Sequence, residues 1–144
     1  MKLAEIEVSY KPNKGSLVNL NNSEHIYKVV LGNWDKGTLE LQEEMKVVLL
    51  NRSNQLLGIY TLSKGGISGT MVDVKLLLSV ALKCVASHIA VVHNHPSGNL
   101  TPSRADIDIT TKIKRATEQV DILLLDHLII TKDGYYSFAD HGKL

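Results

Sequence analysis

From Ser23 onward the apolar positions fall into runs whose period alternates between that of a helix and that of a strand. Residues 1–20 stand apart as a polar leader with Pro12, Gly15 and several Asn, expected to form an arm or an edge strand. Ser23 can cap a helix of about eleven residues, with Ile26, Val29, Val30 and Trp34 near helical spacing and Gly32 or Gly37 marking its end. The period then shortens. Met45 to Leu50 and Leu56 to Leu62 are short apolar runs separated by Asn51-Arg52-Ser53-Asn54, which reads as a hairpin of two antiparallel strands. After Gly65-Gly66 and Gly69, the segment from Asp73 to Ser87 carries Val74, Leu77, Leu78, Ala81, Leu82 and Val85 on one face and predicts a helix. A strand over Ile89 to Val92 follows. Beyond a Pro- and Gly-containing loop, an amphipathic helix is predicted from Ser103 to about Glu118, and Ile122 to Ile130 reads as a central strand buried on both faces. Asp133-Gly134 predicts a tight turn into a last short strand, Tyr135 to Phe138.

Alternating helices and strands predict an α/β fold, and 144 residues with 44% hydrophobic content suit one compact domain, residues 21–144, behind the arm. Sixteen Lys and Arg against fifteen Asp and Glu leave a net charge of +1, and no run of five like charges occurs. Nucleic acid is therefore a partner that charge does not support. Cys84 is the only cysteine, which excludes an intrachain disulfide and a multi-cysteine metal cage; it is expected to pack in a core helix. The N-terminus lacks a sustained apolar stretch, and no segment approaches the roughly 20 apolar residues of a membrane span. A cytoplasmic protein without a membrane partner is expected.

The chemistry concentrates in the fourteen residues from His93 to Asp106. If the apolar run before them is a strand that continues through His93-Asn94-His95, both imidazoles project from one face and make half of a metal site. Ser103 and Asp106 have the spacing of a helix start, which brings the Asp carboxylate in from a second rigid element. By themselves, Ser103 and Asp106 are an ordinary capping pair, a lone histidine at a strand end is more often structural, and Pro96-Ser97-Gly98 is a turn. Together the three candidate ligands fit a hydrolytic zinc ion, Zn2+, which needs three protein ligands, one open position and a nearby base that does not bind the metal. Glu43 and Glu44 are the candidates for the base, and their adjacency leaves the register open. The Ser103 hydroxyl can donate to an oxyanion as well as cap the helix. Asp126 and His127, polar residues inside an apolar strand, require partners and are read either as support for the site or as a structural pair.

His93-x-His95, Ser103 and Asp106 match the JAMM signature of JAB/MPN-type metalloproteases. With the His93 to Gly98 hexapeptide, the upstream Gly66-x-x-Gly69-Thr70, the Leu125 to Ile130 strand and Tyr136-Ser137-Phe138, the segment from about Glu40 to Phe138 resembles the RadC family. The resemblance implies a cytidine-deaminase-like α/β fold, a mixed β-sheet flanked by helices, with zinc held by His93, His95 and Asp106. It also implies hydrolysis of peptide or isopeptide bonds in a protein or peptide substrate, with Glu43 rather than Glu44 activating water because Met45 opens the strand. The chain looks like a short form without the N-terminal helix-hairpin-helix region of longer members. Val74-Lys75 stands where the family often has Pro-Arg, and the DNA-repair association given to such proteins finds no support in the nearly neutral charge.

Other chemistries fail on spacing. An HNH nuclease spreads its three residues over a ββα finger, a nucleobase deaminase needs His-x-Glu with Pro-Cys-x-x-Cys, and no His-Glu-x-x-His occurs. The rival functions are a catalytically silent scaffold of MPN type, which typically loses metal ligands, and a DNA-associated accessory protein, which requires Lys and Arg to cluster in three dimensions. Nothing in the pattern specifies an oligomer.

Overall fold

A computed structural model describes residues 1–13, 15, 17–65 and 72–144. Its elements are α1 (Ser23–Asn33), β1 (Glu44–Leu50), β2 (Leu56–Lys64), α2 (Val74–Lys83), β3 (His88–Asn94), α3 (Arg104–Glu118), β4 (Leu123–Thr131) and β5 (Gly134–Ser137). The strands form one mixed sheet in the order β2-β1-β3-β4-β5, with β3 and β4 parallel and the other neighbours antiparallel.

Strand alternation divides the core in two. Val47, Leu49, Ile89 and Val91 face Leu77 and Ala81 of α2 and Ile113 of α3, while Val48, Leu50, Ala90 and Val92 face Ile26 and Val30 of α1 together with Trp34. Every residue of β1 is buried, so this strand lies in the interior of the sheet rather than at its edge. Each fully buried Leu, Ile or Val contributes roughly 1.5–3 kcal/mol, which makes β1 and β3 the rigid centre to which the histidines are attached. A register irregularity between Ile89 and Ala90 moves β4 so that His127 pairs with Val91 and Ile129 with His93.

Several boundaries differ from the sequence reading for local reasons. Asn22 rather than Ser23 caps α1, its side chain accepting from His25 N–H; the Ser23 hydroxyl instead lies 3.0 Å from that of Tyr135. Gly32 is inside α1, which ends at Trp34 as its C-cap. Helix α2 stops at Lys83, four residues short of Ser87, because Val85 turns left-handed at φ 52° and Ala86 N–H reaches back to the Ala81 carbonyl. Cys84 is therefore a partly buried C-cap. The β4–β5 turn falls on Lys132 and Asp133, and Gly134 already pairs with Thr131.

The leader forms no helix or regular strand among its described residues; Tyr10 donates its hydroxyl to the Leu57 carbonyl at 2.7 Å, and Asn19 bridges Gln55. Gly66-x-x-Gly69-Thr70 lies outside the described residues. Among the described residues no helix is long and apolar enough to cross a membrane.

Candidate metal centre

The site forms where β3 ends and α3 begins. His93 is the penultimate residue of β3 and His95 lies one residue past its end, so strand alternation turns both rings toward the α2/α3 side of the sheet. Ser103 caps α3: its hydroxyl accepts Asp106 N–H at 3.1 Å, and the Asp106 carboxylate accepts Ser103 N–H at 2.8 Å. This reciprocal box satisfies two backbone donors and fixes Asp106 in the first helical turn, where the helix dipole favours its charge.

Three ligand atoms then converge. His93 Nε2 lies 3.0 Å from His95 Nε2 and 3.2 Å from Asp106 Oδ1, while His95 Nε2 lies 3.3 Å from Asp106 Oδ2. The other nitrogen of His95 is committed: Nδ1 lies 2.5 Å from the Asn99 carbonyl, which can only accept, so Nδ1 carries the proton and a neutral His95 presents a lone pair to the centre. A lone pair facing a carboxylate at this distance requires a proton or a cation between them. Without a metal, the hydrogen bond that His95 donates to the Asp106 carboxylate, opposed by burial and assisted by the Asn99 carbonyl and the charges of Asp106 and Glu43, raises the proton affinity of His95. Burial opposes the charge of Asp106, yet hydrogen bonds from His93 and His95 hold its carboxyl well below the usual carboxylate range. The donor set, two imidazoles and a carboxylate, is one that zinc accepts.

The two glutamates separate by face. Glu44 is 2% exposed on the α1 side, where Thr38 Oγ1 donates to it at 3.2 Å and Lys46 Nζ lies 3.6 Å away. Glu43, one residue before β1, lies close enough to His95 for its charge to raise the affinity of that ring for a proton. Met45 is paired with His93, and extending that register by two residues sets Glu43 opposite His95.

Asn94, between the histidines and fully buried, faces the other way and was not singled out in the sequence. Its Oδ1 accepts Glu44 N–H at 2.7 Å, and its Nδ2 donates to the Leu39 and Gln42 carbonyls at 2.7 and 2.9 Å. A buried amide inside an apolar strand was the available signal, since such a group must find partners. Asp126 also faces away, accepting from Ser137 Oγ at 2.5 Å and from Ala139 N–H at 3.0 Å; burial nevertheless raises its pKa. His127 faces the site, with Nε2 2.7 Å from His93 Nδ1. A cavity of about 250 Å³, bounded by His95, Pro96, Leu39 and Lys132, opens beside the exposed side of the cluster.

A family model described as a RadC-like JAB domain matches residues 20–143. The chain belongs to the RadC-like JAB domain family. Its mixed five-stranded sheet with three flanking helices is the JAB/MPN architecture. Curated relatives of this JAB domain include a UPF0758 protein of Flavobacterium johnsoniae, 53% identical over 100 residues, which are 69% of this chain and 44% of the relative. A UPF0758 protein of Porphyromonas gingivalis is 47% identical over 104 residues, 72% of this chain and 46% of the relative. The UPF0758 protein YfjY of Escherichia coli is 44% identical over 103 residues, 72% of this chain and 64% of its own length. The matched stretch thus spans less than half of the first two relatives.

Proposed function

We propose that this JAB domain is a zinc-dependent hydrolase of peptide or isopeptide bonds, with His93, His95 and Asp106 holding the ion. The observation that carries the reading is the convergence of three acceptor groups within 3.0–3.3 Å, with the outward nitrogen of His95 already bonded to a carbonyl. A bound zinc ion supplies a Lewis acid that makes water a better nucleophile near neutral pH and polarises a carbonyl. Glu43, which does not bind the metal, accepts the proton of the attacking water and returns it to the leaving amine. Ser103 Oγ uses a lone pair to accept Asp106 N–H, which leaves its own O–H free to donate to the oxyanion of the tetrahedral intermediate. The substrate is a protein or peptide whose chain reaches the cluster through the cavity beside His95.

The test compares zinc content and cleavage of peptide and isopeptide libraries for the wild type, Glu43→Gln and Asp106→Ala. Glu43→Gln is expected to retain stoichiometric zinc and lose about 10²–10⁴-fold in kcat. Asp106→Ala, with one ligand gone, loses at least about 100-fold in zinc affinity and with it the activity. A wild-type protein without stoichiometric zinc sinks the reading. Zinc without cleavage of any amide supports the scaffold instead.

One observation favours a nucleic-acid role: Lys114, Arg115 and Lys143 line a common cleft, together with Glu118. Three cations fall short of the 6–10 phosphate contacts of strongly salt-dependent duplex binders, so salt-sensitive DNA binding by the wild type is the result that revives this alternative.

A further inference from the structure

The hydrogen bonds behind His93 run through three more groups and return to the cluster. His93 Nδ1 lies 2.7 Å from His127 Nε2, His127 Nδ1 lies 2.5 Å from Thr110 Oγ1, and Thr110 Oγ1 lies 2.6 Å from the Asp106 carbonyl. Counting protons gives this chain a single direction. The Asp106 carbonyl can only accept, so the one hydroxyl proton of Thr110 lies in that contact, because two oxygens at 2.6 Å with no proton between them repel. Thr110 Oγ1 must then accept from His127, whose Nδ1 carries a proton. His127 is fully buried, and neither of its nitrogens has a carboxylate partner. Such an imidazole is neutral, so its Nε2 is a lone pair and accepts the Nδ1 proton of His93. His93 therefore presents the Nε2 lone pair to the centre by construction.

We infer that His127 is a positioning residue for the metal site: with Thr110 it fixes the tautomer and ring plane of His93 and ties that ring on β3 to the main chain of Asp106 on α3. The path closes on itself. From the Asp106 carbonyl it continues through the same residue to the carboxylate, 3.2 Å from His93 Nε2. Two ligands from different elements are thus locked to each other through a residue of a third, β4. The His127 ring is held in turn by Phe138, stacked on it with centroids 4.7 Å apart and planes 7° from parallel. Outward nitrogens of metal-bound histidines ordinarily meet a carboxylate, carbonyl or water; here a neutral imidazole relays the bond to a helix carbonyl.

The inference rests on the metal-centre reading, and two measurements separate their fates. The first is ¹⁵N–¹H NMR of the metal-free wild type with labelled histidine, which assigns the proton between His93 and His127 without any metal. A proton on His93 Nδ1, with scalar coupling across the bond to His127 Nε2, is expected; a proton on His127 Nε2 overturns the relay. The second is zinc affinity by chelator competition. His127→Phe keeps the stack on Phe138 but removes the acceptor, and is expected to bind zinc about 10–100-fold more weakly than the wild type. His127→Gln restores an acceptor near the Nε2 position and returns the affinity most of the way. A folded His127→Phe protein that binds zinc as tightly as the wild type overturns the positioning role. If the wild type takes up no zinc, the hydrolase reading fails and the NMR result decides the relay alone.

Discussion

His93 and His95 are two residues apart and converge on one point, yet their surroundings are of different kinds. The His93 side chain is 2% exposed, sits within a strand whose neighbours are fixed by the core, and is backed by another buried side chain. The His95 side chain is 12% exposed, lies beyond the strand end, and is backed by the carbonyl of a loop residue four positions on. The first imidazole inherits its orientation from the core, so it is set when the protein folds. The second is set by the turn through Pro96 to Asn99, which borders the cavity. A site built this way has one imidazole that cannot be misplaced without disturbing the core, and one that can yield with the loop that backs it.

Replacing each histidine by alanine is the strongest way to break this comparison. Both variants are expected to lose the proposed metal. In the metal-free state, however, His93→Ala opens a core cavity and removes the partner of His127, at a cost of about 3 kcal/mol, whereas His95→Ala costs less than about 1 kcal/mol. Urea unfolding of the two metal-free variants measures the gap, and equal losses would remove the distinction.

Acid sharpens the contrast because the two sides titrate with opposite sign. Burial, followed by the neighbouring His93, depresses the pKa of His127 far below the ordinary histidine value. The unfolded chain therefore takes up a proton below pH of about 6.5 that the folded chain refuses, and stability falls as pH drops, by up to about 1.4 kcal/mol per unit. The His95 pKa is raised, first through Asp106, so its contribution is complete below the unfolded value and is lost as pH rises through the folded one. In metal-free protein, His127→Gln is expected to remove the loss that begins near pH of about 6.5, and His95→Ala to leave that loss in place while removing the gain on acidification from the raised folded pKa down to about 6.5, read as urea midpoints against pH. The proposed zinc ion would have to displace the His95 proton, so its affinity is expected to fall about tenfold for each unit of acidification below that pKa.

The smallest effect lies in the loop. Gly98 sits at φ 84° with open space where a side chain would go, so Gly98→Ala meets backbone strain alone, about 1 kcal/mol. Its zinc affinity should drop only a few-fold, less than for His127→Phe, as measured by the same chelator competition.

The features that were legible in the sequence are those carried by short-range geometry. A strand period of two and a capping box put His93, His95, Ser103 and Asp106 within one window, and the amphipathic pattern from Ser103 to about Glu118 marked α3, whose buried residues are Thr110, Ile113 and Thr117. The end of α2 was hidden because Val85, an apolar residue at a helical position, adopts a left-handed turn that favours glycine. Glu43 and Glu44 could not be told apart locally, since their faces depend on the register of β1 against β3. His127 was recognisable as a polar residue needing a partner, but the partner's identity depends on the irregular parallel pairing of β3 and β4. The partners of Asn94 lie 50 to 55 residues away in the sequence, so its role has no short-range signal beyond its polarity.

That asparagine makes the end of β3 a shared frame. Its amide holds the Leu39 and Gln42 carbonyls and the Glu44 N–H, so the segment that delivers Glu43 is clipped to the same three residues that carry both histidines. When the strand end shifts, the glutamate and the histidine pair travel together as one body. The separation between them is therefore insensitive to motions that would spoil a site assembled from independently anchored parts.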